Sequence, residues 1–453
     1  MRVEPPPFSF EQLPHVSPIP EHARRRFIAE YRPWRKLRYL AEEEGVKPED
    51  AWVYVKAWRR DQWIPLPVSR CEGGKFGFVP SPSLYRLLHL IDRAAGDGLI
   101  GHSVAAQSSL PMRKRLDALL KRGELFPARM LASTSHGESA ESSIMEGASA
   151  TRKEAMEMLR FGRSPRTLGE RMILNNFHAM RMIKEHLREP LSLELLLEVQ
   201  SVITAGTLEP VDGVGRLRSQ ADDVRVVDTR DQSTLFVPPN AGSLRVLLSE
   251  ICAFANESHD GTFLHPIVRA AALHFLIGYA HPFVDGNGRT ARAFFYWSML
   301  RSGYSLFEYL SISEIIRIGY SRYPQAFVDV EDDDGDLTYF VQYTLEVLEQ
   351  ALGRFSEHLA AEELRLQRSE RFLAIAKDLN LRQRLLLEHA LRHPGTAYTV
   401  KSHSNSNGIT LVTARTDLDD LVRRRLMTTS KRGKEVLYHV TATLRERLAK
   451  KGM

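Results

Sequence analysis

Residues 281–292, with the sequence HPFVDGNGRTAR, constrain this chain more than any other stretch. The run lies between two apolar segments, 266–280 and 290–300, in which hydrophobic residues recur at helical spacing. A base, a carboxylate, a glycine-flanked turn and two arginines are therefore predicted on the connection between two helices of an apolar unit.

The middle of this run has the composition of an anion site. A turn that opens a helix presents free backbone N–H groups and the positive end of the helix dipole, which suits a phosphate. Arg289 and Arg292 are three residues apart, so they share a helix face and can reach the same anion. The turn consists of Gly286, Asn287 and Gly288.

Two further side chains of the run add reactive chemistry. Asp285 is a hard oxygen ligand beside the predicted anion, as Mg²⁺ bound to phosphates requires. His281 titrates near neutral pH and could take a proton from an attacking hydroxyl. Together with the anion cradle, these groups indicate nucleotide chemistry at phosphorus.

The run resembles the signature of the Fic (Fic/Doc) family, H-x-F-x-D/E-G-N-G-R-x-x-R, with every fixed position matched. The resemblance implies a protein adenylyltransferase that moves AMP from ATP, with Mg²⁺, to a Ser, Thr or Tyr hydroxyl of a target protein. The target could be the chain itself. The implied roles are general base for His281, metal ligand for Asp285, anion hole for Gly286, Asn287 and Gly288, phosphate binding for Arg289 and Arg292, and loop anchor for Phe283.

Other functions stay open at this point. The motif defines a phosphate cradle and not a base pocket, so removal of AMP, or transfer of another nucleotide or phosphate-containing group, is compatible with it. A Fic-fold transcriptional regulator that binds DNA is the alternative from a different class.

Residues 142–147 are predicted to form a short helix, entered from a loop at 133–141. Beside the first motif they resemble the family's inhibitory motif, S/T-x-x-x-E-G/N, with Ser142, Glu146 and Gly147 matching. The resemblance implies that Glu146 pairs with Arg292 and occupies the place of the γ-phosphate, which makes the enzyme autoinhibited. The alternative is a surface glutamate paired with a local arginine.

Two short β-like runs, 224–227 and 234–237, predict a β-hairpin in an otherwise helical chain. The hairpin resembles the family's flap, whose edge aligns the target segment by strand addition. The residues assigned to this docking role are Val224, Val226, Leu235 and Val237. A plain surface hairpin is the alternative.

The basic C-terminal end has a separate pattern. Residues 371–453 hold 11 Arg and 6 Lys against 4 Asp and 3 Glu, although the whole chain carries only +6. Predicted helices at 381–391, 399–404 and 411–426 precede a hairpin, which is the winged-helix order. Contact with DNA would fall to Arg415, Lys431, Arg432 and Lys434. The alternative is a winged helix used for protein contact or dimerisation.

The whole sequence is predicted to be mainly α, with a Fic-type helical core, a hairpin flap and a C-terminal winged helix. We expect a mostly helical N-terminal domain at 1–132, a Fic domain at 133–350 with the inhibitory helix near 139–150, a linker helix at 351–375, and the winged helix at 376–453. The sequence shows no signal peptide and no membrane span. Its two cysteines favour a reducing cytoplasmic compartment.

Several weaker patterns have structural explanations. The tryptophans of residues 34–63 are predicted to pack in a core, and the acidic loop 331–336 to be a solvated helix entry. The G-x-G-x-x-G sequence at 96–101 follows a helix, which favours a helix cap. His274 is expected to be a core residue and not a metal ligand. An apolar seam from Val341 to Leu359 indicates either core packing or a helix-pairing surface, and thus a homodimer.

Overall fold

The computed structural model describes residues 5–9, 18–95, 125–209, 211–227, 234–256, 263–373, 378–393, 395–433, 435–441 and 444. Within these ranges the protein is mainly α-helical and its strands form only two-stranded antiparallel sheets, so the predicted mainly α fold class is confirmed. The helices are α1 (Glu21–Ala29), α2 (Trp34–Glu43), α3 (Pro48–Arg60), α4 (Pro82–Ala95), α5 (Leu125–Met145), α6 (Arg152–Phe161), α7 (Leu168–Glu185), α8 (Leu193–Thr204), α9 (Leu244–Ala255), α10 (Pro266–Ala280), α11 (Asn287–Arg301), α12 (Ile312–Ile318), α13 (Arg322–Glu331), α14 (Thr338–Leu373), α15 (Leu381–Arg392), α16 (Val400–Asn407) and α17 (Leu411–Arg423). The strands are β1 (Ile64–Ser69), β2 (Lys75–Phe78), β3 (Val226–Val227), β4 (Thr234–Phe236), β5 (Met427–Arg432) and β6 (Glu435–Val440).

The chain forms two compact units. The first contains Met1–Gly96, His178–Phe307 and Ile312–Gln350, and the second contains Asp97–Phe177, Glu308–Ser311 and Ala351–Met453. Helices α7 and α14 each contribute to both units. The units are assembled from separate stretches of sequence, and the predicted domain boundaries at 132, 350 and 375 remain predictions.

The centre of the first unit is the helix pair α10 and α11. In α10 every residue except Pro266 and Gly278 is buried. A helix that is apolar on all sides belongs in the middle of a core, and the sequence makes one here. Phe275 of α10 stacks on Phe327 at 4.9 Å between ring centroids, a contact worth roughly 0.5–1.5 kcal/mol beyond its buried area. The connection between the two helices therefore starts and ends on rigid supports.

A buried ionic cluster joins the N-terminal helices to the end of this core. Lys56 and Arg59 of α3 are buried, and both form ion pairs with buried Asp333. Asp336 is also fully buried and accepts a hydrogen bond from Tyr31. The prediction of a solvated acidic loop is therefore wrong for Asp333 and Asp336, because partners distant in the sequence compensate their charge.

Two packing predictions are confirmed in the described residues. Trp34 and Trp52 are buried, and their rings meet edge to face at 5.7 Å. The seam on α14 is core packing, since all of its apolar residues are buried. Those residues are Val341, Leu345, Leu348, Leu352, Phe355 and Leu359.

The second unit contains α5, α6 and the C-terminal elements. A small apolar core forms between α5, α6 and the start of α7, and it includes Ala140, Met158 and Ile173. Arg160 of α6 donates from Nε to Ser406 Oγ at 2.8 Å, so α6 also contacts α16. The loop predicted at 133–141 is wrong, because this stretch belongs to helix α5.

At the C-terminal end, three helices are followed by a hairpin, in the predicted order. β5 pairs with β6 from Met427↔Val440 to Arg432↔Glu435, and Tyr398 forms an isolated bridge to Tyr438. Helix α16 extends to Asn407, three residues beyond the predicted end, and Gly408 at φ 62° closes it. The assignment of this module as a winged helix remains a prediction.

Candidate active site

His281 occupies the first position after α10, in a left-handed conformation with φ 43° and ψ 55°. An L-residue in this region costs roughly 1–2 kcal/mol, so the surrounding structure must hold it there. Its Nδ1 lies 3.2 Å from the carbonyl oxygen of Gly278. A carbonyl can only accept, so this contact places the proton on Nδ1 and leaves the Nε2 lone pair available as a base. The ring is partly exposed.

A buried asparagine closes the loop between the helices. Asn287 Oδ1 accepts from the Phe283 N–H, and Asn287 Nδ2 donates to the Phe283 carbonyl, both at 2.9 Å. Phe283 itself is fully buried, which confirms that it anchors the loop. The side chain of Asn287 is therefore occupied with loop structure, and only its backbone N–H can serve an anion.

Gly286 starts α11 at φ 84°, where an L side chain would be strained. A Cβ there would also lie 3.1 Å from methyl groups of Ile203 and Thr204. The tight approach to α8 allows the chain to turn directly into α11. The first N–H groups of this helix have no partner within it, and Gly288 at this end is partly exposed.

Asp285 and Arg289 form an ion pair across this turn. Arg289 Nη2 donates to Asp285 Oδ2 at 2.9 Å, and the Arg289 side chain is buried whereas that of Asp285 is 44% exposed. Among the residues that the structure describes, none donates a hydrogen bond to Asp285 Oδ1. A carboxylate with one held and one accessible oxygen fits Mg²⁺, which takes one or two protein carboxylates and fills its other positions with water and phosphate oxygens. Within the described ranges, no three His, Cys, Asp or Glu side chains converge on a metal position.

Arg292 lies one turn further along α11 and is buried. Its positive charge, together with burial, lowers the pKa of His274 to about 3, burial being the larger cause. His274 is therefore neutral at physiological pH, and its Nε2 lies 2.9 Å from the hydroxyl of Tyr323. This confirms His274 as a core residue beneath the arginine.

Two residues that the sequence analysis did not assign support the loop. Gln200 of α8 donates to the Asp285 carbonyl at 3.2 Å and accepts from the Gly215 N–H at 2.6 Å. Arg218 donates to backbone carbonyls on both sides of His281. Both side chains are buried, and neither lies in a periodic pattern or motif that would have revealed it.

The predicted hairpin is present but shorter than expected. Val226 pairs with Phe236 and Val227 with Thr234, with an irregular register between them. Val224 precedes the strand and Val237 follows it, and Val237 is 65% exposed. Leu235 lies in β4, although its side chain is outside the described set. The docking role of this hairpin stays a prediction.

The residues of the second motif are at the C-terminal end of α5. Ser142 is buried within the helix, and Glu146 follows its last residue and is exposed. Gly147 has φ 89°, and Ala148 N–H donates to the Ser143 carbonyl at 3.0 Å, which closes the helix end. The glycine is thus required by the turn. Whether Glu146 is inhibitory remains a prediction.

The residues assigned to DNA contact are on α17 and on the C-terminal hairpin. Arg415 on α17 is exposed, and so are Lys431 and Arg432 at the end of β5. Lys434 lies outside the described residues, as does the G-x-G-x-x-G sequence at 96–101. None of the helices in the described ranges combines the length and apolar character needed to cross a membrane.

Comparison with known proteins agrees with this geometry. The model of the Fic/DOC family matches residues 190–299, which include α8, α10 and most of α11. The protein adenylyltransferase Fic of Drosophila virilis is 33% identical over 130 residues, and that of Drosophila melanogaster is 41% identical over 68 residues. These matches cover 28% and 15% of this chain, and 24% and 14% of the length of the two relatives.

Among solved structures, a Fic family protein from Desulfovibrio desulfuricans G20 matches with a TM-score of 0.49 at 17% identity. The alignment covers 82% of this chain and 99% of that chain. The sequence motif, the buried helix pair that presents it and the family match all fall in the same segment. The chain therefore carries a Fic/DOC family domain, at residues 190–299.

Proposed function

We propose that this protein is an adenylyltransferase that moves AMP from ATP to a Ser, Thr or Tyr hydroxyl of a target protein. The observation that carries the proposal is the loop between α10 and α11, which presents an unprotonated His281 Nε2 close in sequence to a helix N-terminus and two buried arginines. The names of the two Drosophila relatives support the same activity.

The proposed reaction is an in-line displacement at the α-phosphorus of ATP. The hydroxyl oxygen of the target forms a bond to this phosphorus while the bond to the oxygen that bridges the β-phosphate breaks. His281 Nε2 takes the hydroxyl proton, and pyrophosphate leaves with the electron pair of the broken bond.

Charge on the phosphates is stabilised by groups that are already oriented. The N–H groups of Gly286, Asn287 and Gly288 face the position of the anion, and Arg289 and Arg292 add two positive charges. A preorganised group of this kind stabilises charge without having to reorganise during the reaction. When bound at Asp285, Mg²⁺ would supply further neutralisation of the phosphate oxygens.

Regulation by Glu146 forms part of the proposal. By the motif resemblance, its carboxylate pairs with Arg292 where the γ-phosphate of a productively bound ATP would lie. Its exposure and its position at a helix end capped by Gly147 support this, because the carboxylate can be presented to a partner group. ATP would then bind unproductively until the helix end is displaced.

For the C-terminal module we propose a role in contacting DNA. Its support is the net basic composition of residues 371–453, the order of three helices and a hairpin, and the exposure of Arg415, Lys431 and Arg432. Such contacts would be mainly electrostatic and therefore strongly dependent on salt.

The adenylyltransferase activity is tested with ATP labelled at the α-phosphate. We expect His281→Ala to reduce label transfer by at least about 100-fold, because general base catalysis contributes about 10²–10⁴-fold. ATP labelled at the γ-phosphate should give no labelled protein. Equal transfer by wild type and His281→Ala, or transfer of the γ-label, would contradict the proposed chemistry. A panel of other labelled nucleotides determines the nucleotide preference.

A further inference from the structure

Arg218 makes an unusual set of contacts around the proposed base. Its backbone N–H donates to the Pro282 carbonyl at 2.9 Å. Its Nε donates to the His281 carbonyl at 2.7 Å, and its Nη2 donates to the Ala280 carbonyl at 3.3 Å. Three consecutive carbonyls that surround His281 thus accept hydrogen bonds from this one residue.

The Nη2 of Arg218 also donates to the carbonyl of Pro239. Pro239 follows strand β4 by three residues, so the same guanidinium holds the end of hairpin β3–β4 and the end of α10. We propose that Arg218 is a positioning residue, which fixes the orientation of His281 and its placement relative to the hairpin. The inference rests on the proposed function, in which the hairpin aligns the target hydroxyl and His281 removes its proton.

The local backbone explains why such a residue is needed. The last carbonyls of a helix have no partner within it, and those at the end of α10 are near the negative end of the helix dipole. His281 is in the left-handed region, so the peptides on both sides of it must be held against relaxation. A guanidinium is suited to this because it is a rigid, charged fork of several donors.

The nearest carboxylate does not divert Arg218 from this role. Asp222 accepts from Arg216 at 2.8 and 3.0 Å and from the Ser219 N–H. Arg218 is 8% exposed and burial lowers its pKa, yet arginine remains charged in proteins. Its side-chain donors are therefore directed to the carbonyls of the loop and the hairpin.

Arg216 provides a matched control. It lies two residues earlier, it is an arginine with a bidentate partner, and its hydrogen bonds go to Asp222 and to the carbonyls of Asp212 and Leu217. We expect Arg218→Met to lower kcat for AMP transfer by about 100-fold, the loss typical of a reacting group displaced by about 1 Å. The KM for ATP should stay within about twofold, because the phosphate cradle is untouched. Arg218→Lys should be intermediate, and Arg216→Met should match wild type.

A second measurement does not depend on turnover. In protein labelled with ¹⁵N-histidine, the His281 signals are assigned by their loss in His281→Ala. We expect wild type and Arg216→Met to show the Nδ1-protonated tautomer and Arg218→Met a mixture of tautomers. Binding of a non-hydrolysable ATP analogue verifies that each variant is folded, and if Arg218→Met does not fold, Arg218→Lys takes its place.

The outcomes separate this inference from the proposed function. A wild-type protein without AMP transfer would refute the adenylyltransferase activity, whereas the tautomer comparison would still report on Arg218. An unchanged His281 tautomer in the folded Arg218 variants, or a kcat equal to that of Arg216→Met, would overturn the positioning role.

Discussion

At the scale of single residues, the loop between α10 and α11 depends on Asn287 as much as on the reactive groups. The side chain of Asn287 binds both backbone groups of Phe283, four residues earlier. It thereby closes a ring that contains Asp285 and Gly286. The distance between the base and the helix N-terminus is then fixed by covalent geometry and two buried hydrogen bonds.

Asn256 offers a direct comparison with Asn287. It bonds to both backbone groups of Leu191, at 2.8 Å each, in a position away from the loop. We expect Asn287→Ala and Asn256→Ala to lower the free energy of unfolding by similar amounts, about 1–3 kcal/mol, because each leaves backbone groups unsatisfied. Only Asn287→Ala should abolish AMP transfer. Urea unfolding and label transfer measure the two effects, and equal activity losses would contradict this role of Asn287.

The residue types of the site could be predicted from the sequence, but their supports could not. His281, Asp285 and the two arginines occur in one short run, so their spacing alone brings them together. The protonated nitrogen of His281 is determined by a carbonyl of the folded helix, and Arg218 is more than 60 residues away in the chain. Such long-range hydrogen bonds leave no periodic signal in a single sequence.

At the scale of secondary-structure elements, the errors arise where tertiary burial overrides local preference. Residues 133–141 are rich in Ser and contain a glycine, which favours a loop. In the structure this stretch is helical, and its residues from His136 onward are buried. Burial of one long helix outweighs preferences of at most about 1 kcal/mol per residue.

The hairpin β1–β2 was missed for a related reason. Strand β1 contains Pro65 and Pro67, and proline argues against a strand within a larger sheet. Both prolines are on exposed positions of a two-stranded sheet, alternating with buried Leu66 and Val68. An edge strand tolerates this composition, and the sequence could not show that the sheet has only two strands.

The C-terminal elements allow a test of the proposed DNA contact. We expect the chain to retard duplex DNA in a gel, with affinity falling steeply as salt rises. The double variant Lys431→Ala/Arg432→Ala should lower the slope of log K against log salt by about 2, roughly one for each phosphate contact. Arg24→Ala/Arg25→Ala, which removes two exposed charges from α1, is the matched control. Equal slopes for the two variants, or no retardation at low salt, would refute DNA binding by this module.

At the scale of the whole molecule, the proposed catalytic and inhibitory residues belong to different compact units. His281 and Arg292 are in the first unit, whereas Glu146 is in the second together with the C-terminal module. Within the second unit, α5 packs with α6, and α6 is bonded to α16 through Arg160 and Ser406. The helix that ends at Glu146 is therefore connected through packing to the basic module.

This arrangement makes Glu146 the decisive test of regulation. If its carboxylate competes with the γ-phosphate, Glu146→Gly should raise self-labelling by about tenfold or more, since a bias of 1.4 kcal/mol already changes the active population tenfold. Glu157→Gly, which removes an exposed glutamate from α6, should leave the rate unchanged. Adding His281→Ala to Glu146→Gly should remove the gain, because the released activity uses the same base. The rates are measured with α-labelled ATP at saturating concentration, and an unchanged rate for Glu146→Gly would show that this carboxylate does not hold the enzyme inactive.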